Sequence, residues 1–440
     1  MKGSVAEAFL GCLAVSQKYQ APSKDVIGSF TKFYSMLVTA GYESWQDYLL
    51  DQLLMGRDNP VARAVAQGTL GEGAPILQAL AHDLDTLQTL AVSLRGLVEY
   101  IEETAPIVGS DWVAAACSTG LKCSSKRLGS GGNPTAVAIN VSDRTPFITR
   151  PASPDELSQW KAAISSRDSW SEALPVVQQY WHRHGFGITS RNSTLRWVKG
   201  ALEEAGDKPQ VASLAGPLPL PASTQPLPPL SALQPAVAAL DQNTSRHCQG
   251  VAGAQHVLVA GPSGSGKSWL LWDSTLRAGK EHGLRVVDVS GAEVGAILEA
   301  ARGCGRYPRL RFVLVADHVD FPVRPALAAD LMAGLSDVGA AGWPSNVLLY
   351  MAATASSTVG LDPVVARFGI KLFTKDLTED QFGTTLQELA SRKEPETGQV
   401  LLGQEVVQRG VKWANVVCGG LSVRAAVQYV DKVAAGVPLT

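Results

Sequence analysis

"HVLVAGPSGSGKSWLL", residues 256 to 271, decides how the C-terminal half of the chain is read. Apolar residues Val257 to Ala260 have the length and character of a buried strand. A glycine-rich turn follows, and then a helical pattern. The turn spells G-x-x-x-x-G-K-S from Gly261 to Ser268, in the strand-to-helix context that this motif requires. Glycines let the backbone curl until successive N–H groups point at one anion. The helix N-terminus adds its dipole. A lysine at position 267 can reach β- and γ-phosphate oxygens, and a hydroxyl at 268 can ligate magnesium. The candidate phosphate-binding residues are therefore Gly261, Pro262, Ser263, Gly264, Ser265, Gly266, Lys267, Ser268 and Trp269. A tight Gly-Ser turn alone does not account for the Lys-Ser pair.

Working outward, further strand patterns alternate with helices: "LRVVDVS" (284 to 290), "RFVLVAD" (311 to 317), "NVLLYMAAT" (346 to 354) and "IKLFTK" (370 to 375). That alternation predicts a parallel α/β sheet, with a helical tail from about residue 377. Asp317 ends an apolar strand, where a carboxylate faces the cleft of such a sheet. With Ser268 it is the candidate magnesium pair. His318 follows it. A neutral imidazole has an ordinary pKa near 6.5 and can accept a proton from water. Asp320 is a substitute acid if the strand end bends.

The chain has 440 residues, enough for two or three domains, and a net charge of -2. That balance gives no global basic field for nucleic acid or an anionic membrane. Cys12, Cys117, Cys123, Cys248, Cys304 and Cys418 are scattered without a Cys-x-x-Cys pair, which fits reduced thiols in an intracellular protein. No run reaches the length of a membrane span. "AEAFLGCLAV" (6 to 15) reads as a first amphipathic helix rather than a signal peptide. A soluble protein of the cytoplasm or of an organelle interior such as the plastid is expected.

Residues 1–204 read as a mostly helical N-terminal domain. "SKDVIGSFTKFYSMLVTAGYESWQDYLLDQLLMG" carries apolar residues at spacings of three and four. "ALAHDLDTLQTLAVSLRGLVEYIEE" (79 to 103) reads as a long helix with a leucine stripe, favouring an intramolecular bundle over a heptad dimer seam. "SPDELSQWKAAI" opens with a capping box, Ser153 and Glu156. "STGLKCSSKRLGSGGNP" (118 to 134) reads as loop and "TAVAINV" (135 to 141) as a short strand. His182 and His184 lie two apart, on different helix faces, which does not make a metal pair. "PLPLPASTQPLPPL" marks a linker over residues 205–235. A nucleotide-binding domain over 236–376 and a helical lid over 377–440 complete the expected organisation.

The order of these segments resembles the AAA+-related P-loop ATPases catalogued as domain-of-unknown-function family 815. The resemblance is carried by "SWQDYLLDQLLMGRDNPVARA" and "YWHRHGFGITSRNSTLRWV" in the helical half, and by "LSALQPAVAALDQNTSRHCQGVAGAQHVLVAG" before the P-loop. After it come "YPRLRFVLVADHVDF", "WPSNVLLYMAAT", "ARFGIKLF" and "GGLSVRAAVQYV". It implies an AAA+-like domain that takes ATP and Mg²⁺ and is compatible with a homo-oligomer; it supplies no substrate, and an unknown protein partner that the chain acts on or scaffolds is expected. It further implies that Thr354 stands at the sensor-one position. Arg367 stands at the arginine that reaches a neighbouring subunit's γ-phosphate, and Arg424 at the lid arginine. Three departures bear on hydrolysis. His318 replaces the second acid of the family's "DD", Thr354 replaces an asparagine, and Ala366 replaces the acid before Arg367. The binding residues survive better than the hydrolytic ones, so nucleotide binding with slow or absent turnover is expected. An active ATPase that remodels a partner is the alternative reading.

Overall fold

The computed structural model describes residues 4–18, 22–56, 59–70, 74–104, 151–205, 230–291, 294–319, 334–335, 342–354, 362–393 and 402–435. The expected loop at 118 to 134, the strand at 135 to 141, Asp320 and most of the proline-rich linker lie outside these residues. The chain divides into a helical unit ending at Trp181 and a second unit that runs from His182 to the C-terminus.

In the helical unit, α1 (Val5–Ser16) is started by a capping box between Ser4 and Glu7. α2 (Ser23–Thr39) and α3 (Trp45–Met55) follow, then the short α4 (Pro60–Ala66). Aromatic residues at the predicted helical spacings converge. The Phe9 and Trp45 rings stack at 4.4 Å, and Phe33 meets Trp45 edge-on. The expected long helix over 79 to 103 is two helices, α5 (Pro75–Leu90) and α6 (Leu94–Thr104). The break has a local cause: the Ser93 hydroxyl accepts the Gly96 N–H at 2.9 Å and restarts the chain as a cap. Its leucine stripe is buried within this chain at Leu84 and Leu97, as a bundle face would be. The expected Ser153–Glu156 capping box opens α7 (Pro154–Ser165), and α8 (Leu174–His184) follows.

The second unit is an α/β domain built on a mostly parallel sheet, with a C-terminal helical subdomain, the lid. Its seven strands are β1 (Thr194–Val198), β2 (Ala201–Glu204), β3 (Val257–Gly261), β4 (Arg285–Asp288), β5 (Phe312–Val319), β6 (Val347–Thr354) and β7 (Ile370–Phe373). They lie in the order β2-β1-β4-β5-β6-β3-β7. Every pairing is parallel except the β1–β2 hairpin. The inner strands are buried on both faces, hence their unbroken apolar runs. Val313, Val315, Leu348 and Tyr350 face one core, and Leu314, Ala316, Leu349 and Met351 face the other.

β1 and β2 correct the expected domain boundary. Residues 182 to 204 belong with the sheet rather than with the helical half, because β1 pairs along β4 from Thr194–Val286 to Arg196–Asp288. Without β1, β4 would be an edge strand with unpaired backbone groups. The junction is held by Arg285, a fully buried cation on β4. Its guanidinium donates to the carbonyls of Thr189 (2.7 Å), Gly283 (2.6 Å) and His184 (3.2 Å). A planar fork can satisfy several carbonyls at once, which an ammonium on a single stem does less well.

Helix α9 (Ile188–Arg191) precedes β1, and α10 (Gln234–Cys248) packs against α11 (Lys267–His282). α12 (Val294–Gly305) lies between β4 and β5 in sequence, and α13 (Asp362–Arg367) between β6 and β7. The lid comprises α14 (Glu379–Lys393), α15 (Gln404–Trp413), which runs on into a π-turn at Ala414–Cys418, and α16 (Val423–Ala434). Phe382, Leu386, Trp413 and Tyr429 of the lid join the same core as Val257 and Val259 of β3. Among the described residues, no helix is long and apolar enough to cross a membrane.

His247 on α10 gives this fold a measurable acid response. Its Nε2 lies 3.0 Å from the Phe312 carbonyl, which can only accept, so that nitrogen carries hydrogen. Burial, reinforced by the Arg311 charge, pushes its pKa down to about 4. Above about 6.5 the folded and unfolded forms are both neutral, and this group costs nothing. As pH falls from there towards 4, only the unfolded chain gains the proton, so stability is lost. The expected loss from His247 is about 3 kcal/mol across that window. Urea midpoints of the full chain and of His247→Gln between these pH values test it. The variant should show a shallower decline, and equal slopes would contradict the assignment.

Candidate functional site

Parallel strands deliver their C-terminal ends to one edge of the sheet, which is where open α/β sheets bind ligands. Here β3 ends in Gly261, β5 in the Asp317–His318 segment and β6 in Thr354. Thr374 follows β7, and Ser290 lies just beyond β4. β3 lies between β6 and β7, so the glycine-rich turn leaves the sheet flanked by two threonines. In the β3–β6 ladder Gly261 is the register partner of Thr354, which is exposed. On the other side the Thr374 N–H donates to the Ala260 carbonyl at 2.8 Å. A Cβ at position 261 would collide with the Thr374 hydroxyl and its carbonyl oxygen, so the close approach of the two chains requires glycine there. The Thr374 hydroxyl lies 2.6 Å from that of Ser265, fixing the middle of the turn to the end of β7.

The lid closes on the same turn. Gly264 has φ +84°, and a Cβ there would sit 3.0 Å from the Ser422 hydroxyl and 3.1 Å from the Arg424 Cβ. Arg424, in the first turn of α16, donates its backbone N–H to the Gly264 carbonyl at 3.0 Å and its guanidinium to the Ser263 hydroxyl at 3.3 Å. The Arg424 side chain is therefore held at the turn by its own backbone. Lys267, at the start of α11, folds over the loop and donates from Nζ to the carbonyls of Pro262 (2.6 Å) and Gly261 (2.9 Å). Burial lowers the pKa of its ammonium. The nearby Asp317 carboxylate opposes that shift, and the Arg424 guanidinium adds to it. Lys267, Asp317 and Arg424 thus share one electrostatic neighbourhood, although they come from three separate segments of the sequence.

Asp317 is buried, with its N–H donating to the Ser290 hydroxyl at 3.2 Å. The strand does not stay regular beyond it. Ala316 pairs with Met351 and Val319 with Ala353, so three steps on β5 match two on β6. His318 takes up the extra residue with φ +56°, the left-handed region that few side chains other than Asn, Asp and His enter. In a regular strand successive side chains point to opposite faces. The bulge re-aims this one, bringing His318 Nδ1 to 3.3 Å from Asp317 Oδ2. The His318 N–H donates to Asp317 Oδ1 at 2.9 Å, which holds the carboxylate in place.

The remaining expected residues are less closely joined. Ser268 is half-buried in the first turn of α11, and Trp269 is half-buried against the core shared by β3 and the lid. Arg367 is exposed at the end of α13 and makes no hydrogen bond or ion pair among the described residues. Thr374, Ser290 and Ser422 were absent from the sequence-derived set. A hydroxyl one residue past a strand end was the available signal for Thr374. Nothing in the local sequence brings Ser422 to Gly264.

Residues 219–357, about a third of the chain, match the family described as "Protein of unknown function (DUF815)". That match takes in the P-loop, Asp317, His318 and Thr354. It is narrower than the resemblance drawn from sequence, for Arg367 and Arg424 lie beyond it. No curated protein matches the chain. Among solved structures, the Thermotoga maritima RuvB Holliday junction branch migration motor matches at 20% identity and a TM-score of 0.34, over 46% of this chain and 61% of that one. C. elegans PCH-2 matches at 15% identity and a TM-score of 0.35, over 46% of this chain and 62% of that one. Domain III of the Thermotoga maritima replication initiation protein DnaA matches at 16% identity and a TM-score of 0.33, over 49% of this chain and 95% of that one. The chain thus spans about three fifths of the RuvB and PCH-2 chains it matches.

The shared neighbourhood of Lys267 has a signature of opposite signs. Asp317→Asn removes the carboxylate that supports the ammonium and should push the Lys267 pKa further down. Arg424→Ala removes a repelling cation and should let it rise. NMR titration of side-chain-labelled lysine reads both shifts. Shifts of the same sign, or none, would contradict the convergence of these three groups.

Proposed function

We propose that this chain binds ATP with magnesium at the P-loop edge, hydrolyses it slowly or not at all, and uses the bound nucleotide to hold the lid in place for a protein partner. The observation that carries this reading is a contrast at one edge of the sheet. Lys267 and Arg424 meet at the glycine-rich turn with the buried Asp317 carboxylate in their field. The residue after Asp317, by contrast, offers an imidazole turned back towards that carboxylate rather than a second acid.

The loop supplies backbone donors and one lysine to a polyphosphate. Lys267 would exchange the Gly261 and Pro262 carbonyls for phosphate oxygens, which are stronger acceptors because they carry charge. Arg424 would bring a second cation from the lid, so that phosphate binding and lid position are linked. The Ser268 hydroxyl and the Asp317 carboxylate are hard oxygen donors of the kind magnesium accepts. Magnesium, when bound, neutralises phosphate charge. Among the described residues, no second carboxylate follows Asp317 on this strand to orient and deprotonate water. The net charge of -2 gives no reason to choose nucleic acid as the partner.

Two substitutions test the reading. Lys267→Ala should weaken ATP affinity at least about tenfold, or about 1.4 kcal/mol. Calorimetric titration measures it, and unchanged affinity would mean that this loop is not the site. His318→Asp restores an acid at a backbone position that aspartate tolerates. It should raise phosphate release by roughly 10² or more at similar ATP affinity. A wild type that already turns over at about 1 to 10 s⁻¹ and is slowed by His318→Asp would make the histidine the working base. The active-ATPase reading would then hold instead.

A further inference from the structure

We propose that Asp317 and His318 act as a paired oxygen–nitrogen ligand set, so that this edge takes first-row transition-metal ions as well as magnesium and holds them more tightly than an all-oxygen edge would. The inference rests on the nucleotide-site reading for the remaining ligands. Among the described residues, no group of three or more His, Cys, Asp and Glu side chains is placed to hold a metal by itself. The pair would therefore be completed by the Ser268 hydroxyl and phosphate oxygens.

The geometry begins with the bulge. Adjacent residues on a regular strand cannot direct both side chains to one point, but the left-handed backbone of His318 brings its ring alongside Asp317. The two atoms nearest one another, Nδ1 and Oδ2, are 3.3 Å apart. They meet as an ion pair when the imidazole is protonated, and a metal would take the place of that proton; Asp317 Oδ1 accepts the His318 N–H. An ion about 2.1 Å from each atom would subtend an angle of about 100°, within the range of tetrahedral and octahedral coordination. Oxygen and nitrogen are therefore spaced as a chelating bite.

Exposure and support fit the same role. The Asp317 side chain is 9% exposed and that of His318 60%, so the pair has one anchored member and one that opens to solvent. The Ser290 hydroxyl accepts the Asp317 N–H, fixing the backbone of the anchored ligand. Outer hydrogen bonds of this kind orient metal ligands. Ligand chemistry then selects the ion. Magnesium takes oxygen ligands and keeps several waters. Imidazole suits the later first-row metals, and affinity for a mixed nitrogen–oxygen set rises along that series. A second carboxylate at position 318 would favour magnesium, and the imidazole shifts that preference.

Pulsed electron paramagnetic resonance on the full chain, with Mn²⁺ as probe and ¹⁵N-labelled histidine, tests the pair directly. Spectra are recorded with and without a non-hydrolysable ATP analogue, whose binding is measured on the same sample. A histidine nitrogen coupled to the bound Mn²⁺ is expected, and it should disappear in His318→Asn, a side chain that also tolerates the left-handed backbone. Zn²⁺ affinity should fall about tenfold in that variant, with Mg²⁺ affinity changing by less than about twofold. Absence of histidine coupling in the wild type under both conditions overturns the inference, whatever the variant does. Nitrogen coupling in a chain that does not bind the analogue would retain the metal pair and remove the nucleotide reading. Analogue binding without nitrogen coupling would do the reverse.

Discussion

The candidate site depends on the position of β3 between β6 and β7. Because β3 is flanked by parallel neighbours on both sides, its glycine-rich turn leaves the sheet between Thr354 and Thr374. Gly261 presses so closely on Thr374 that no side chain fits. That contact fixes where the turn starts. The helix begun by Lys267 fixes where it ends, and the Gly264–Arg424 backbone bond ties the lid to its middle. The same core runs beneath β3 and the lid helices. A shift of β3 would therefore move the loop, the lysine and the lid arginine together.

Charge is arranged around that frame on buried and half-buried side chains. Lys267 is half-buried, and the Asp317 carboxylate favours its ammonium form while burial and Arg424 lower its pKa. A polyphosphate would relieve the mutual repulsion of the two cations, which is a physical reason for the loop and lid to act as one receptor. It also explains why neutralising Asp317 is not a local change, since the carboxylate supports the lysine as well as any metal.

The sequence was legible where function is written in residue type and spacing. Gly261 to Ser268 carry the loop, and the apolar run before Asp317 placed that acid at a strand end. It was less legible where backbone geometry or distant contacts decide. The bulge at His318 is not marked by a glycine, so nothing in "VADHVD" announced that its imidazole would turn towards Asp317. Arg424 stands more than 150 residues from Ser263, and without the family resemblance it reads as an ordinary surface arginine. The β1–β2 hairpin was missed although its turn carried a signal. Lys199 and Gly200 both have positive φ, the two-residue pattern that matches strand twist. Its strands, five and four residues long, were read instead as the end of a helical domain.

The central claim is that the glycine-rich turn and the start of the last lid helix form a single phosphate receptor. Amide hydrogen exchange of the full chain, with and without ATP and a divalent cation, tests it most directly. The expected result is slower exchange in two segments at once, residues 263–268 and 422–426, with the β1–β2 hairpin unchanged. Protection of the turn alone would contradict the coupling to the lid, and protection of neither segment would contradict the site itself.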